Sequence, residues 1–161
     1  MAIKAGDKLP GNVKLKEMTD GGPKDVSVDE VFKGKKIVLF AVPGAFTPTC
    51  SMKHLPGFVE KASDIRGKGI DEIVCLSVND AFVMGAWGKS SGATGKVRML
   101  ADGNGDLTKA LGLGLDASGF GMGQRSQRYA MIVQDGTVKE LMVEPGGGLK
   151  ASSAEAVLEK L

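Results

Sequence analysis

Two short apolar runs, "KKIVLFAV" at 35–42 and "DEIVCLSV" at 71–78, stand out from the more polar chain around them. Each is rich in β-branched residues and bounded by polar or turn residues, so each reads as a buried strand. Between them, from Thr47 to about Lys68, Phe58, Val59, Ala62 and Ile65 recur at three- and four-residue intervals. That is the period of a helix with one buried face. Asn79 is placed as the N-cap of a second helix carrying Phe82, Val83 and Trp87. Further on, "RYAMIVQ" and "TVKELMV" flank Asp135-Gly136, a pair suited to the positive φ values of a two-residue hairpin turn. "SSAEAVLEKL" reads as a terminal helix, with Ser152 and Glu155 at capping-box spacing.

Strand, helix, strand, helix, then a hairpin and a helix is the order expected of a thioredoxin-like α/β fold. Its parallel crossovers and added hairpin predict a mixed central sheet flanked by helices. No internal repeat or low-complexity linker divides the 161 residues, so one domain over 1–161 is expected. Glycine is in excess at 24 residues and clusters at 112–123 and 144–149, which read as loops of unusual backbone geometry.

Composition changes the picture chiefly by exclusion. The chain is 42% hydrophobic and 25% charged, as an ordinary globular protein is. A net charge of +2 without a dense basic block gives neither nucleic acid nor an anionic membrane as a partner. No apolar run approaches the roughly 20 residues that span a bilayer. The first residues, "MAIKAGDKLPGN", lack an apolar core, so no secretory signal is expected. Two cysteines make no disulfide framework and suit a reducing compartment. A cytoplasmic location follows, although a removed organellar transit peptide would leave no trace. With a single histidine, His54, a structural zinc site lacks ligands, and neither a metal nor another cofactor is expected.

The chemistry gathers at "PGAFTPTCS", 43–51, directly after the first apolar run. Cys50 falls in the first turn of the following helix, where free N–H groups and the helix dipole favour a thiolate. Pro48 suits an early helical position. Thr47 stands three residues before Cys50, where the first cysteine of a C-x-x-C redox motif would stand. A hydroxyl there leaves no internal resolving thiol, so an enzyme that oxidises one sulfur to sulfenic acid is favoured over a thiol–disulfide oxidoreductase. The competing reading is a buried structural cysteine beside a turn. His54, four residues on, invites a Cys–His hydrolase, but is expected to be a packing or hydrogen-bonding residue. Cys75, in mid-strand, is expected to be a small core hydrophobe. Arg128 alone would read as a surface charge at a strand start, and Arg125 is left open between a solvated charge and a support for Arg128.

Pro43-x-x-x-Thr47-x-x-Cys50 resembles the signature of peroxiredoxins. "PGAFTPTCS…HLPGF", "SVND.F", "ADG", "RSQRYAM" and "VEPGG" resemble, in order, the type II or peroxiredoxin-5-like branch. The resemblance implies a thioredoxin fold, reduction of hydrogen peroxide and organic hydroperoxides, antioxidant function, and frequently a homodimer. It further implies that Cys50 is the peroxidatic cysteine, Thr47 the hydroxyl that positions peroxide and sulfur, Pro43 a shield for the thiolate, and Arg128 the catalytic arginine. Such a guanidinium can stabilise both the thiolate and the departing oxygen. Members that form an intramolecular disulfide carry a resolving cysteine where Ala151 stands here. Cys75 instead resembles the second cysteine of plant and microbial members, many recycled by glutaredoxin and glutathione. An external thiol reductant is therefore expected, with glutaredoxin and glutathione favoured and thioredoxin the alternative. A peroxide sensor that passes oxidation to a partner is the reading from another class. Phe46, Phe82 and Trp87 flank the site loops and are either a dimer surface or core filling.

Overall fold

The computed structural model describes residues 2–145 and 148–161. Gly146 and Gly147, within the glycine-rich stretch at 144–149, lie outside the described residues.

The chain opens with a hairpin that the hydrophobic pattern did not announce, β1 (Lys14–Thr19) and β2 (Gly22–Ser27). Its turn passes through Gly22 at φ 105°, a conformation that only glycine adopts freely. Ser27 then caps α1 (Val28–Phe32) through a capping box, its side chain accepting from the Glu30 N–H. The first apolar run is β3 (Lys36–Val42), and a π-helical turn, Cys50–His54, leads into α2 (Leu55–Arg66). The second apolar run is β4 (Glu72–Ser77), followed by α3 (Ala81–Ser90), β5 (Arg98–Ala101) and α4 (Asp106–Leu111). The glycine-rich 112–123 stretch is more ordered than a loop. It holds β6 (Gly114–Asp116) and a 3-10 turn (Ser118–Phe120), and β6 pairs antiparallel with β7 (Gln124–Ser126). The expected hairpin is β8 (Tyr129–Gln134) and β9 (Thr137–Val143), with Asp135 and Gly136 at φ 50° and 80° in its turn. The terminal helix is α5 (Ala154–Lys160).

Among the described residues, seven strands form one sheet in the order β2-β1-β5-β4-β3-β8-β9. β4 pairs parallel with β3 and β5, and the other pairings are antiparallel, so the sheet is mixed, as a thioredoxin-like α/β fold requires. Side-chain alternation along β3 divides the core in two. Ile37, Leu39 and Ala41 face α1 and α4, packing among Phe32, Leu107 and Leu111. Val38, Phe40 and Val42 face α2, α3 and α5, packing among Phe58, Trp87 and Val157. Cys50 and Cys75 both belong to this second layer. Each large side chain buried here contributes about 1.5–3 kcal/mol through the hydrophobic effect, and Phe40 stacks on Phe58 with centroids 4.0 Å apart.

Two helix caps depart from the sequence reading, and of the three rings left open between dimer surface and core filling one takes the core. Asp80, not Asn79, caps α3, accepting from the Val83 N–H at 2.8 Å. Ser153, not Ser152, caps α5 and accepts from the Ala156 N–H, so the Ser152/Glu155 capping box is not made. Trp87 is fully buried in the core, while Phe46 and Phe82 are 54% and 66% exposed.

Candidate active site

The loop that carries the site starts where β3 runs out. Two side chains pin it from outside. The Asn79 carboxamide oxygen accepts from the Ala45 N–H at 2.9 Å, and Arg125 Nη1 donates to the Pro43 carbonyl at 3.4 Å. Phe46 takes a left-handed conformation, φ 63°, to turn the chain from strand toward helix. A non-glycine residue there stores about 1–3 kcal/mol of strain. The Thr47 hydroxyl donates to the Gly44 carbonyl at 2.7 Å. Pro48 and Thr49 are already helical when Cys50 begins the π-turn, in which the Leu55 N–H reaches back to the Cys50 carbonyl. Pro56 explains the wide turn: it has no N–H to donate, and its ring would crowd the carbonyl four residues back. On the outer side Trp87 Nε1 donates to Ser51 Oγ at 3.0 Å, tying the turn to α3.

Cys50 has no exposed surface. Its sulfur accepts a hydrogen bond from Arg128 Nη2 at 3.1 Å, and Arg128, next to the first residue of β8, is itself buried. The guanidinium supplies the counter-charge that a sulfur anion needs away from water. Arg128 Nη1 also donates to His54 Nδ1 at 2.8 Å, and His54 Nε2 donates to the Ser152 carbonyl at 2.9 Å. These bonds fix the imidazole as the neutral tautomer with its proton on Nε2. Its pKa is pushed down to about 3. Burial is the main cause. The Ser152 bond opposes it, and the Arg128 charge pushes further down. Behind Ser152 stands the buried Glu144 carboxylate, which accepts from the Lys150 and Ser152 N–H groups and the Ser152 hydroxyl. Burial works to raise the Glu144 pKa, but these bonds outweigh it and hold the group below its ordinary value.

The structure therefore brings Cys50 and Arg128 into contact and keeps Thr47 and Pro43 in the adjoining loop. Among the described residues neither Thr47 nor Pro43 bonds the sulfur. His54 is a hydrogen-bonding residue, as expected, and the hydrolase reading loses its premise: both ring nitrogens are engaged, and among the described residues neither is hydrogen-bonded to Cys50. Arg125, partly exposed, makes no hydrogen bond to Arg128 among the described residues; it donates to the Met122 carbonyl as well as to Pro43 and so ties the β6–β7 hairpin to the Pro43 loop. Cys75 lies in β4 opposite Phe40 and Met99, fully buried. Burial first, and the nearby Cys50 second, raise its thiol well above the ordinary value, so it stays protonated. Glu144, Ser152 and Asn79 were missed as site residues, since nothing in a loop sequence marks a polar side chain as buried. Among the described residues no group of three or more His, Cys, Asp or Glu could hold a metal, and no helix is long and apolar enough to cross a membrane.

Comparison with known proteins gives this geometry its family. A Redoxin family model matches residues 4–158. Peroxiredoxin-2E-2, chloroplastic, of Oryza sativa is 53% identical over 163 residues, covering 99% of this chain and 72% of that protein. Peroxiredoxin-2B of Arabidopsis thaliana is 48% identical over 160 residues, covering 99% of this chain and 98% of that protein. The crystal structure of reduced Prx3 in complex with hydrogen peroxide from Vibrio vulnificus superposes with a TM-score of 0.93 at 51% identity, covering 98% of each chain. At about half identity over nearly its whole length, the chain belongs to the peroxiredoxin family, in its type II branch, and is a thiol peroxidase of antioxidant function.

Proposed function

We propose that Cys50 is the peroxidatic nucleophile and that Arg128, Thr47 and Pro43 assist it. The Cys50 thiolate attacks one oxygen of a hydroperoxide. A sulfur–oxygen bond forms, the oxygen–oxygen bond breaks, and the departing hydroxide or alkoxide takes a proton to leave as water or alcohol. Cys50 is left as the sulfenic acid. Arg128 Nη2 lies on the sulfur and follows the charge onto the leaving oxygen. The Thr47 hydroxyl hydrogen is engaged with the Gly44 carbonyl, so its oxygen meets the peroxide as an acceptor for the peroxide O–H. Pro43, half-buried at the end of β3, shields the thiolate from water. The observation that carries this reading is the 3.1 Å Arg128–Cys50 contact between two buried groups.

An external thiol then attacks the sulfenic acid, releasing water and forming a mixed disulfide, and a second thiol restores Cys50. Glutaredoxin with glutathione is the favoured reductant and thioredoxin the alternative. Ala151 offers no resolving thiol, and Cys75 is held protonated inside β4. Because Cys50 is wholly covered, a reductant of protein size reaches it only once the π-turn opens. The assignment is tested by a coupled assay comparing glutathione plus glutaredoxin with thioredoxin plus its reductase, on wild type and Cys50→Ser. Turnover should be faster with the first pair and absent in the variant; residual turnover in Cys50→Ser would remove Cys50 from the chemistry.

The chain is further proposed to act as one domain over 1–161, in the cytoplasm, and as a homodimer. Support for the dimer is the pair of exposed rings, Phe46 and Phe82, around the site. Sedimentation at about tens of micromolar, where an interface of standard size holds, should show dimer; monomer alone would count against it.

A further inference from the structure

The hydrogen bonds behind Arg128 close into a ring that the attack on peroxide does not itself require. It runs from Cys50 through Arg128 to His54, from His54 to the Ser152 carbonyl, and from the Ser152 N–H and hydroxyl to the Glu144 carboxylate. The Glu144 N–H then donates to the Arg128 carbonyl at 2.9 Å. Among the described residues no lysine or arginine pairs with the Glu144 carboxylate. Every hydrogen bond it accepts there comes from the turn at 150–152. Burying a carboxylate is costly unless its bonds are fully made, and here that cost fixes one short turn directly behind the site.

We propose that Glu144 is a positioning residue of the peroxidase site: it clamps the 150–152 turn so that the Ser152 carbonyl orients His54, and His54 orients Arg128 against the Cys50 sulfur. The inference rests on the assignment of Cys50 and Arg128 to the chemistry made above. Its logic is a choice of tautomer. His54 Nδ1 accepts from Arg128 only while the imidazole proton sits on Nε2, and it sits there because the Ser152 carbonyl accepts it. Without the carboxylate, three donors lose their acceptor, the turn relaxes, and His54 Nε2 loses its partner. The proton then becomes free to occupy Nδ1, where it faces the Arg128 Nη1–H as donor against donor. Arg128 swings away from the sulfur, and a misplacement of about 1 Å in such a site is enough to cost rate.

His54 is the only histidine in the chain, so its ring nitrogens are read without ambiguity by nitrogen-15 NMR of the reduced protein. In wild type the proton should be on Nε2. In Glu144→Ala the Nδ1–H tautomer should appear, and the second-order rate with hydrogen peroxide should fall about tenfold. Circular dichroism should show the fold intact. Should Glu144→Ala not fold, Glu144→Asp, which withdraws the carboxylate by one methylene, must move both readouts in the same direction. A change in rate without a change of tautomer, a change of tautomer without a change in rate, or no change in either overturns the proposal. If Cys50→Ser retains turnover, the site assignment itself fails; if Cys50 is required and Glu144 is silent, only the role of Glu144 falls.

Discussion

Mild acid should destabilise this protein through a single residue. His54 carries a pKa of about 3 in the fold against an ordinary value of 6.5. An unfolded chain therefore takes up a proton near pH 6.5 that the folded chain refuses until about pH 3. The folded-state pKa is lowered, so the stability linked to neutral His54 is complete above 6.5 and drains away as the pH falls toward 3. Ordinary carboxylates begin to add their own losses only near and below 4.5, and Glu144, itself lowered from 4.5, contributes with the same sign in that lower range. Between pH 6.5 and 4.5 the loss is therefore mainly that of His54, and linkage sets it at about 3 kcal/mol. Against a total of roughly 5–15 kcal/mol for an ordinary domain, that is a large share. The assay is urea unfolding at several pH values on wild type and His54→Asn, whose Oδ1 can still accept from Arg128 but which does not titrate. Wild type should lose stability steeply across the window and the variant should be nearly flat. Parallel slopes would refute the argument, since they would place the acid loss elsewhere.

Arg128→Lys should lower the rate with peroxide about a hundredfold with an unchanged fold, because an ammonium cannot hold His54 Nδ1 and Cys50 Sγ together. A near-normal stopped-flow rate would show that charge alone suffices. Cys75→Ala should keep most turnover with glutaredoxin and glutathione, and peptide maps of peroxide-treated wild type should show no Cys50–Cys75 bridge, since Cys75 is locked within β4. Gly85→Ala would place a Cβ 2.9 Å from Cβ and Cγ of Met18, and should destabilise by about 1–3 kcal/mol in urea. An unmoved midpoint would mean that β1 yields to α3.

What could be read from the sequence followed from how much apolar surface each element buries. β3 and β4 are covered on both faces, so their residues form continuous apolar runs. The Asp135-Gly136 turn announces itself by its backbone demand. By contrast β2, "GPKDVS", is an edge strand with a proline and two charges, the composition by which sheet edges avoid unwanted pairing. β5 has four residues, and α4 has six between two left-handed glycines, too few for either to show a period. The helix caps were misread by one residue for a shared reason. Asn79 and Asp80 are both good caps, as are Ser152 and Ser153, and tertiary bonds took Asn79 and Ser152 for other work. Cys50 was legible from its local turn and helix start. Arg128 was not, except by resemblance, because no rule of local structure joins two residues 78 apart.

That separation also governs when Cys50 acquires its surroundings in the life of the chain. Cys50 meets its arginine across 78 residues, and His54 meets its carbonyl across 98. A growing polypeptide that has already made β3 and α2 carries Cys50, but neither Arg128 nor Ser152 yet exists to complete its surroundings. Long-range closures of this kind form late, after the loop entropy between them has been overcome. Under the proposed assignment, Cys50 therefore gains its arginine only in the last third of synthesis, and a prematurely ended chain leaves the sulfur without that partner.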